Sequence, residues 1–420
     1  MEVIEEIKSE FKDTKLGLVP QDWEIIKFKE LADDKVKWSL TGGPFGSDLK
    51  SEHYTEEGVR VIQLQNLGDG VFIQKGFVYT SNEKADSLLA CNIFPDEIIL
   101  AKMGDPVTRA CIIPKHLNNR YLMGSDGIRL VPDEIEFDKL FVKEYINFSI
   151  FRTLAMRHST GSTRQRIGLT DLKKLPFIKP QLKEQQRIAS ILSAWNLAIE
   201  TTQSLIDKLQ TRKKGLMQQL LTGKLRLNRF SDEWSQLRGG DIFANVTDKK
   251  HDGTLEVLSA TQDKGVIPRN ETGIDIKYSK SSLSNYKRLA IGDFVISLRS
   301  FQGGIEYSEY DGIVSPAYTV LREKLAISKL FYREYMKTEN FISRLNSIIY
   351  GIRDGKQISY KEFSSLKFVY PTVDEQNAIA SVIQTADIEI QQYLKYLEQL
   401  QKQKKGLMQQ LLTGQIRVKV

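Results

Sequence analysis

The sequence predicts an α+β protein with two similar globular domains and two long helices that form an antiparallel coiled coil, related by a pseudo-twofold axis. Two observations predict it. The eleven residues KKGLMQQLLTG occur from Lys213 to Gly223 and again, unchanged, from Lys404 to Gly414. Upstream of each copy, apolar residues recur every 3.5 positions over about five heptads. The chain is therefore a duplication whose period of 191 residues suits a domain and is too long for a solenoid repeat.

The two halves agree at their ends and differ in their interiors. KEQQRIASIL, which starts at Lys183, aligns with DEQNAIASVI, which starts at Asp374, and the segment LGLVPQDW ending at Trp23 resembles LNRFSDEW ending at Trp234. The stretches between these segments share almost no identity. This pattern indicates one scaffold that carries two different reading domains. The predicted segments are a first domain at 1–180, a helix at 181–224, a second domain at 225–371 and a helix at 372–420.

Each helix is expected to begin after a proline and to stop at a glycine. Pro180 and Pro371 precede the heptads, and Gly223 and Gly414 follow them. The length is then about 38 residues, or roughly 57 Å. The two helices either pair with each other within the chain or form a bundle between molecules, and the heptads leave both open. The first seam contains Ile188, Leu192, Trp195, Ile199, Thr202, Ile206, Leu209, Lys213, Leu216 and Leu220.

The domain interiors read as short strands with a helix near the end of each half. Strand-like stretches are 59–73 and 96–104 in the first half, and 255–265 and 292–304 in the second. The helices are expected at 137–159 and 328–349.

A basic loop flanked by glycine follows each of these helices. The loops are GSTRQRIG, from Gly161, and YGIRDGKQIS, from Tyr350. Arginine can bond bidentately to guanine and glutamine to adenine, so such loops suit DNA reading. The alternative is a solvated turn before the next strand. The DNA-binding candidates are Arg164, Gln165, Arg166, Arg353, Lys356 and Gln357 in the loops, with Gln63, Gln65, Asn66, Lys102, Arg299, Ser300 and Gln302 as weaker ones.

The identity of the two tails has its own meaning. Two identical segments in one chain suggest that both bind the same surface on two copies of one partner. Ordinary core packing explains the apolar residues of these tails nearly as well. The candidate subunit-docking residues are Met217, Leu220, Leu221, Met408, Leu411 and Leu412.

Bulk properties exclude several classes of protein. The net charge is +7, but residues 1–180 carry −2 and residues 181–229 carry +6, so the charge supports polyanion binding only modestly. Cys91 and Cys111 lack CxxC spacing and suit a reducing cytosol, and no apolar run reaches membrane-spanning length. No phosphate loop, amino-methyltransferase motif or set of metal-ligand spacings is present. We expect no catalytic site, no metal and no cofactor in this chain.

Taken together, these segments resemble the specificity subunit of type I restriction-modification enzymes. The resemblance rests on LGLVPQDWE from Leu16, GGPFGSDL from Gly42, the two proline-led helix starts and the paired tails, and it spans nearly the whole chain. It implies two target recognition domains and an antiparallel coiled coil. It also implies double-stranded DNA, two modification subunits and two restriction subunits as partners, in the cytoplasm. S-adenosylmethionine, ATP and magnesium would then belong to those partner subunits.

The duplicated architecture suggests the same mechanism. Two dissimilar domains on one rigid rod would read two dissimilar half-sites with an unread spacer, whose centres lie roughly 10 bp apart if both domains enter the major groove on one face. Two other classes stay open from the residues alone. One is a self-sufficient DNA methyltransferase, and the other is a coiled-coil scaffold protein without a role on DNA.

Overall fold

The structure is a computed structural model that describes residues 4–419, apart from 6–9, 117, 263, 274–279, 298–304 and 349–357 and the side chains of 4, 5 and 280–282. The chain divides into two compact units. Unit 1 comprises residues 1–202 and 396–420, and unit 2 comprises residues 203–395. Each unit therefore contains one globular domain together with a segment of each long helix.

The two long helices run for 39 residues each, Leu182–Leu220 and Val373–Leu411. We call them the first and second long helix. The heptad positions face inward within their units, as the 3.5-residue period predicts. Buried seam residues include Ile188, Leu192, Ile206, Leu209, Leu220, Ile379, Ile383, Ala386, Ile390, Leu397, Leu400 and Leu411.

Within each unit, the start of one long helix packs beside the end of the other. In unit 1 Ile188 and Leu192 share a hydrophobic core with Leu411 and Leu412. In unit 2 the corresponding core joins Leu220, Leu221, Ile379, Ala380 and Ile383. The segments are antiparallel in both units, because early residues of one helix meet late residues of the other. The predicted fold class is confirmed, and the pairing occurs within the chain.

The globular part of unit 1 is built from short strands and helices. Its strands are Ile4–Glu5, Phe11–Thr14, Gly17–Pro20, Glu24–Lys27, Leu40–Gly42, Tyr54–Thr55, Val59–Ile62, Val78–Thr80, Asn92–Ile93, Ile98–Ala101, Ala110–Ile112, Tyr121–Met123, Gly127–Leu130, Ser159–Thr160, Arg166–Ile167, Pro176–Lys179 and Arg417–Val418. Its α-helices are Asn82–Ser87, Lys139–Asn147, Ser149–Arg157 and Leu169–Leu172, and its 3-10 turns are Phe28–Leu31, Ser51–His53, Leu64–Asn66 and Leu89–Cys91.

Unit 2 repeats part of this plan. Its strands are Ser235–Arg238, Phe243–Val246, Leu258–Thr261, Gly265–Pro268, Lys287–Leu289, Phe294–Ile296, Glu306–Tyr307, Gly312–Val314, Thr319–Glu323 and Lys367–Tyr370. Its shorter α-helices are Gly239–Ile242, Lys329–Tyr335, Glu339–Ser347 and Tyr360–Ser365, and its 3-10 turns are Arg269–Thr272 and Lys280–Asn285. The helix predicted at 328–349 is thus two helices, as is the one predicted at 137–159.

One sheet is common to both units although its sequences share almost no identity. In unit 1 the antiparallel order is Ala110–Ile112, Ile98–Ala101, Gly127–Leu130, Leu40–Gly42, and in unit 2 it is Glu306–Tyr307, Phe294–Ile296, Thr319–Glu323, Phe243–Val246. Unit 1 adds a five-stranded sheet with one parallel pair, whereas the described part of unit 2 has two-stranded ladders beside its common sheet. The shared scaffold therefore extends into the interiors, and the differences lie in what is added to it.

Candidate nucleic-acid interface and docking surfaces

A tryptophan–glutamate–arginine cluster, which we call the clamp, fixes the long-helix ends in both units. In unit 1 Trp23 Nε1 donates to Glu184 Oε2 at 2.9 Å, and Arg417 donates to both oxygens of that carboxylate at 2.6 and 2.8 Å. Glu184 is fully enclosed, and the Arg417 guanidinium lies over the Trp23 ring. The hydrogen bonds that Arg417 donates to Glu184 and Asp22 raise the pKa of Arg417, and the same contact lowers the pKa of Asp22.

Unit 2 contains the same clamp in the same geometry. Trp234 Nε1 donates to Glu375 Oε2 at 2.9 Å, and Arg226 donates to both Glu375 oxygens at 2.6 and 2.8 Å. Gly223 and Gly414 end the helical tails with φ of 71° and 69° and lie against the two clamp tryptophans. The clamp explains why the tryptophan-ending segments and the glutamate-led helix starts occur twice in the sequence.

The lysines that interrupt the heptad seams pair with carboxylates of their own units. In unit 1 Lys404 Nζ lies 3.3 Å from Glu144 Oε2, and Asn196 donates to the other oxygen of Glu144 at 2.8 Å. Burial raises the pKa of Glu144, but Lys143 and Lys404 outweigh it and leave that pKa below its ordinary value. In unit 2 Lys213 pairs with Asp387 at 2.6 Å and lies 3.9 Å from Glu334. Each lysine thereby ties a helical tail to charged groups of its own unit.

The docking candidates occupy two environments. Leu220, Leu221, Leu411 and Leu412 are buried in the cores of their units. Their side chains cannot meet a partner subunit, so core packing accounts for them and the docking prediction is corrected for these four. The remaining candidates, Met217 and Met408, are partly buried against the same cores.

Other members of the duplicated tails face solvent. Lys214, Gln218 and Gln219 are exposed in unit 2, and Lys405, Gln409 and Gln410 are exposed in unit 1. Core packing does not constrain which residue type occupies an exposed position. At seam positions, by contrast, the halves differ, as the partly buried Trp195 and the buried Ala386 illustrate. The identity of the exposed residues therefore needs a cause outside the core.

In unit 1 the fold brings two of the predicted DNA-binding segments together. Lys102 follows the strand Ile98–Ala101, and Arg166 opens the strand after the basic loop. Met103 and Arg166 form a β-bridge, Gly104 N donates to Gln165 O at 3.2 Å, and Ile167 N donates to Lys102 O at 3.0 Å. The strand end and the basic loop are thus one surface.

Asp126 joins this surface to the amide-rich segment. Arg166 forms an ion pair with Asp126, and Lys102 N donates to the Asp126 carbonyl at 2.6 Å. Lys102 Nζ donates to Ser125 O at 3.4 Å, and burial, aided by the charge of Arg166, lowers the pKa of Lys102. Two cations thus flank one carboxylate, which leaves a positive excess. Asp126 was not among the residues predicted from the sequence, although it lies in the turn GSDG at 124–127, which has a glycine at each end.

The turn 124–127 also lines a cavity of about 310 Å³ with Gln63 and Gln65. Gln65 Nε2 donates to Gly76 O at 2.7 Å and to Gln63 Oε1 at 3.1 Å, so the two amides hold each other in place. We call Gln63, Lys102, Asp126 and Arg166 the reading cluster.

Two other candidates in unit 1 have different positions. Asn66 is fully buried, accepts from Gln63 N at 2.9 Å and donates to Ile73 O and Lys75 O at 3.1 and 2.8 Å. The prediction that Asn66 contacts DNA is wrong, because its amide is enclosed and stabilises a 3-10 turn. Arg164 stands exposed in a tight turn whose Gly161 has a φ of 106°. The candidates of the second half, Arg299, Ser300, Gln302, Arg353, Lys356 and Gln357, lie outside the described residues.

Residues 20–211 match the family described as the type I restriction modification DNA specificity domain. This stretch covers most of the first domain and of the first long helix, so that part of the chain carries a domain of the family. Together with the relatives described below, the match supports a DNA specificity subunit without catalytic work of its own. The description of the family and the clamps at both domain ends agree with the resemblance carried by the duplicated segments.

Known proteins resemble the chain along most of its length. A Methanocaldococcus jannaschii protein named as the MjaX type I restriction enzyme specificity subunit is 22% identical over 97% of both chains. The MjaVIII specificity subunit of the same organism is 24% identical over 53% of this chain and 50% of its own.

Two solved structures share the fold. The type I restriction-modification S subunit of M. genitalium covers 93% of this chain and 96% of its own at 20% identity, with a TM-score of 0.53. A chain from a structural study of complex assembly and conformational transition of the type I system covers 94% and 99% at 13% identity, with a TM-score of 0.58. No helix in the described part of the chain is long and apolar enough to cross a membrane.

Proposed function

We propose that this specificity subunit reads an asymmetric DNA target of two parts, one with each globular domain. The observation that carries the proposal is the reading cluster of unit 1, where two cations, the Asp126 carboxylate and the Gln63 amide lie around one turn of the chain. Arginine and glutamine read base edges in the major groove, and lysine contacts phosphates. The second domain would read a different sequence, because its interior shares the common sheet but not the residues attached to it.

We further propose that the exposed faces of the duplicated tails bind modification subunits. Lys214, Gln218 and Gln219 would form one site, and Lys405, Gln409 and Gln410 the other. Two identical surfaces suit two copies of one partner, and Met217 and Met408 would border them. The full complex would also contain two restriction subunits.

The catalytic cofactors would belong to those partners. S-adenosylmethionine would be bound by the modification subunits, and ATP with magnesium by the restriction subunits. The described residues contain no group of three or more histidine, cysteine or carboxylate side chains that could hold a metal ion. We propose a cytoplasmic location, which suits the unpaired Cys91 and Cys111. Burial raises the pKa of both thiols, that of Cys111 to about 12, so these cysteines are unreactive.

A binding experiment on the assembled complex tests the proposal. The chain and its modification subunits are titrated with the target duplex and with an unrelated duplex of equal length. Arg166→Ala is expected to weaken the binding free energy for the target duplex by about 1–3 kcal/mol and to change that for the unrelated duplex little. Lys102→Ala, if Lys102 contacts phosphate, weakens both duplexes alike and reduces the salt slope by about one.

The matched control is Lys29→Ala, an exposed lysine away from the reading cluster. If Arg166→Ala and Lys102→Ala bind each duplex with the same affinity as the wild type, the reading cluster is not part of the DNA interface. Methylation of DNA by the purified chain alone would instead favour a self-sufficient methyltransferase.

A further inference from the structure

An exposed phenylalanine lies on a closely supported loop of unit 1. Phe45 is 82% exposed, the largest value for a bulky apolar side chain among the described residues. Single exposed apolar residues are common and mean little by themselves. The support beneath Phe45 and its place in the unit are what give it significance.

The backbone on both sides of Phe45 is held in place. Gly43 N donates to Gly127 O at 2.8 Å, and a Cβ on Gly43 would lie 1.9 Å from Gly124 O, so only glycine fits there. Pro44 fixes its own φ. Asp48 N then donates to Phe45 O at 2.9 Å and closes a turn. The fold thus presents the aromatic ring to solvent from a defined turn.

The loop shares its support with the reading cluster. The turn 124–127, which Gly43 contacts, carries Asp126 and lines the cavity beside Gln63. A Cβ on Gly42 would meet Lys102 Nζ at 3.4 Å. Gly43 contacts this turn, and Phe45 is two residues farther along the chain. Because two residues of extended chain span at most about 7 Å, the Phe45 backbone lies within that distance of Gly43.

We propose that Phe45 packs against the C5-methyl group of a thymine in the major groove, in the half-site read by the first domain. The inference rests on the proposed function and deepens it. The reading cluster supplies hydrogen-bond donors and acceptors, and thymine alone presents a methyl group beside them in that groove. DNA is the occupant that the loop fits, because the Lys102 cation lies beside Gly42 of this loop and Arg166 pairs with Asp126 on the turn that supports it. Burial of the ring against the methyl group removes apolar surface from water.

Uracil substitution tests this contact directly. The full chain, assembled with its modification subunits, is titrated with target duplexes in which each thymine of the first half-site is replaced in turn by uracil. At one position the wild-type complex is expected to bind about fourfold more weakly, the effect of one lost methyl contact. Phe45→Ala should bind the thymine duplex on the order of tenfold more weakly and should no longer distinguish thymine from uracil.

Leu18→Ala is the matched control, because Leu18 is also exposed and apolar in unit 1. It should keep the thymine preference of the wild type. Three results would overturn the inference while sequence-specific binding stands. The first half-site could contain no thymine, or the wild-type complex could bind the thymine and uracil duplexes equally at every position. The third such result is a Phe45→Ala complex that behaves like Leu18→Ala. A wild-type complex with no preference for the target overturns the proposed function and the inference with it.

Discussion

Removal of the Glu184 carboxylate should destabilise unit 1. Glu184→Ala takes away the acceptor of three hydrogen bonds at 2.6, 2.8 and 2.9 Å. The Trp23 N–H then lies buried without a partner, and the Arg417 guanidinium, only 13% exposed, loses its enclosed counter-ion. The substitution therefore leaves one unsatisfied donor and a guanidinium that has lost its buried carboxylate.

The size of the loss follows from these two groups. Breaking a buried ion pair by removing one partner costs about 3–5 kcal/mol, and an orphaned buried donor accounts for about 1–3 kcal/mol of such losses. Asp22 keeps a bidentate contact with Arg417 at 2.9 and 2.7 Å, which leaves part of the charge paired. We therefore expect Glu184→Ala to lower the free energy of unfolding of unit 1 by about 3 kcal/mol. Glu375→Ala should lower the free energy of unfolding by a similar amount. Arg226 has no such second carboxylate among the residues that the structure describes, but its side chain is 26% exposed and can be rehydrated.

Urea denaturation followed by circular dichroism and tryptophan fluorescence measures these losses. The two units can unfold separately, so each transition is fitted by itself. Glu200→Ala is the control, because Glu200 is exposed on the same helix as Glu184. Trp23→Phe should lower the free energy of unfolding by about 1–2 kcal/mol, because it removes one hydrogen bond and keeps the ion pair. A Glu184→Ala protein within 1 kcal/mol of Glu200→Ala, a spread typical of surface changes, would refute the clamp as a stabilising element.

Three other results are expected. Arg417 lowers the pKa of Asp22, so the stability that Asp22 contributes is present above the ordinary aspartate pKa of about 3.9. This stability is lost as pH falls through the lowered pKa. Urea midpoints measured against pH should show the loss, and Asp22→Asn should abolish it. Gln218→Glu with Gln219→Glu should reduce bound modification subunits from two to one by native mass spectrometry, whereas exposed Gln210→Glu should leave two; two in both cases contradicts tail docking. One heptad inserted into both long helices should change the preferred spacer and neither half-site, as DNA selection on the variant complex would show; altered half-sites contradict a ruler role.

Periodic features of the sequence predicted the structure well. The 3.5-residue seam and its flanking proline and glycine gave two helices of about 38 residues, and both have 39. The breaks at Lys213 and Lys404 were visible as breaks. Their partners, such as Glu144, were not, because an ion pair between residues far apart in the chain leaves no local pattern. For the same reason the repeated Trp23 and Trp234 could be aligned, while the arginines that complete each clamp went unnoticed.

Local chemistry was a poorer guide to exposure. Asn66 and Gln65 are neighbours of similar type, yet a 3-10 turn buries one amide and leaves the other exposed. Likewise Leu220 and Gln219 are adjacent in a tail whose identity suggested docking, and the helix places them on opposite sides of the core boundary. Asp126 joined the site only through the fold, since the strands bring its turn beside Lys102.

Mapping of methylated adenines tests the central claim most directly. Host cells that express this chain with its modification subunits are compared with cells that express the modification subunits alone. The expected result is one asymmetric motif of two dissimilar parts with a fixed unread spacer, found only in cells that express this chain. With Arg166→Ala, or with a replaced reading cluster, only the first part of the motif should change. A continuous or palindromic motif, or a motif that persists without this chain, would contradict it.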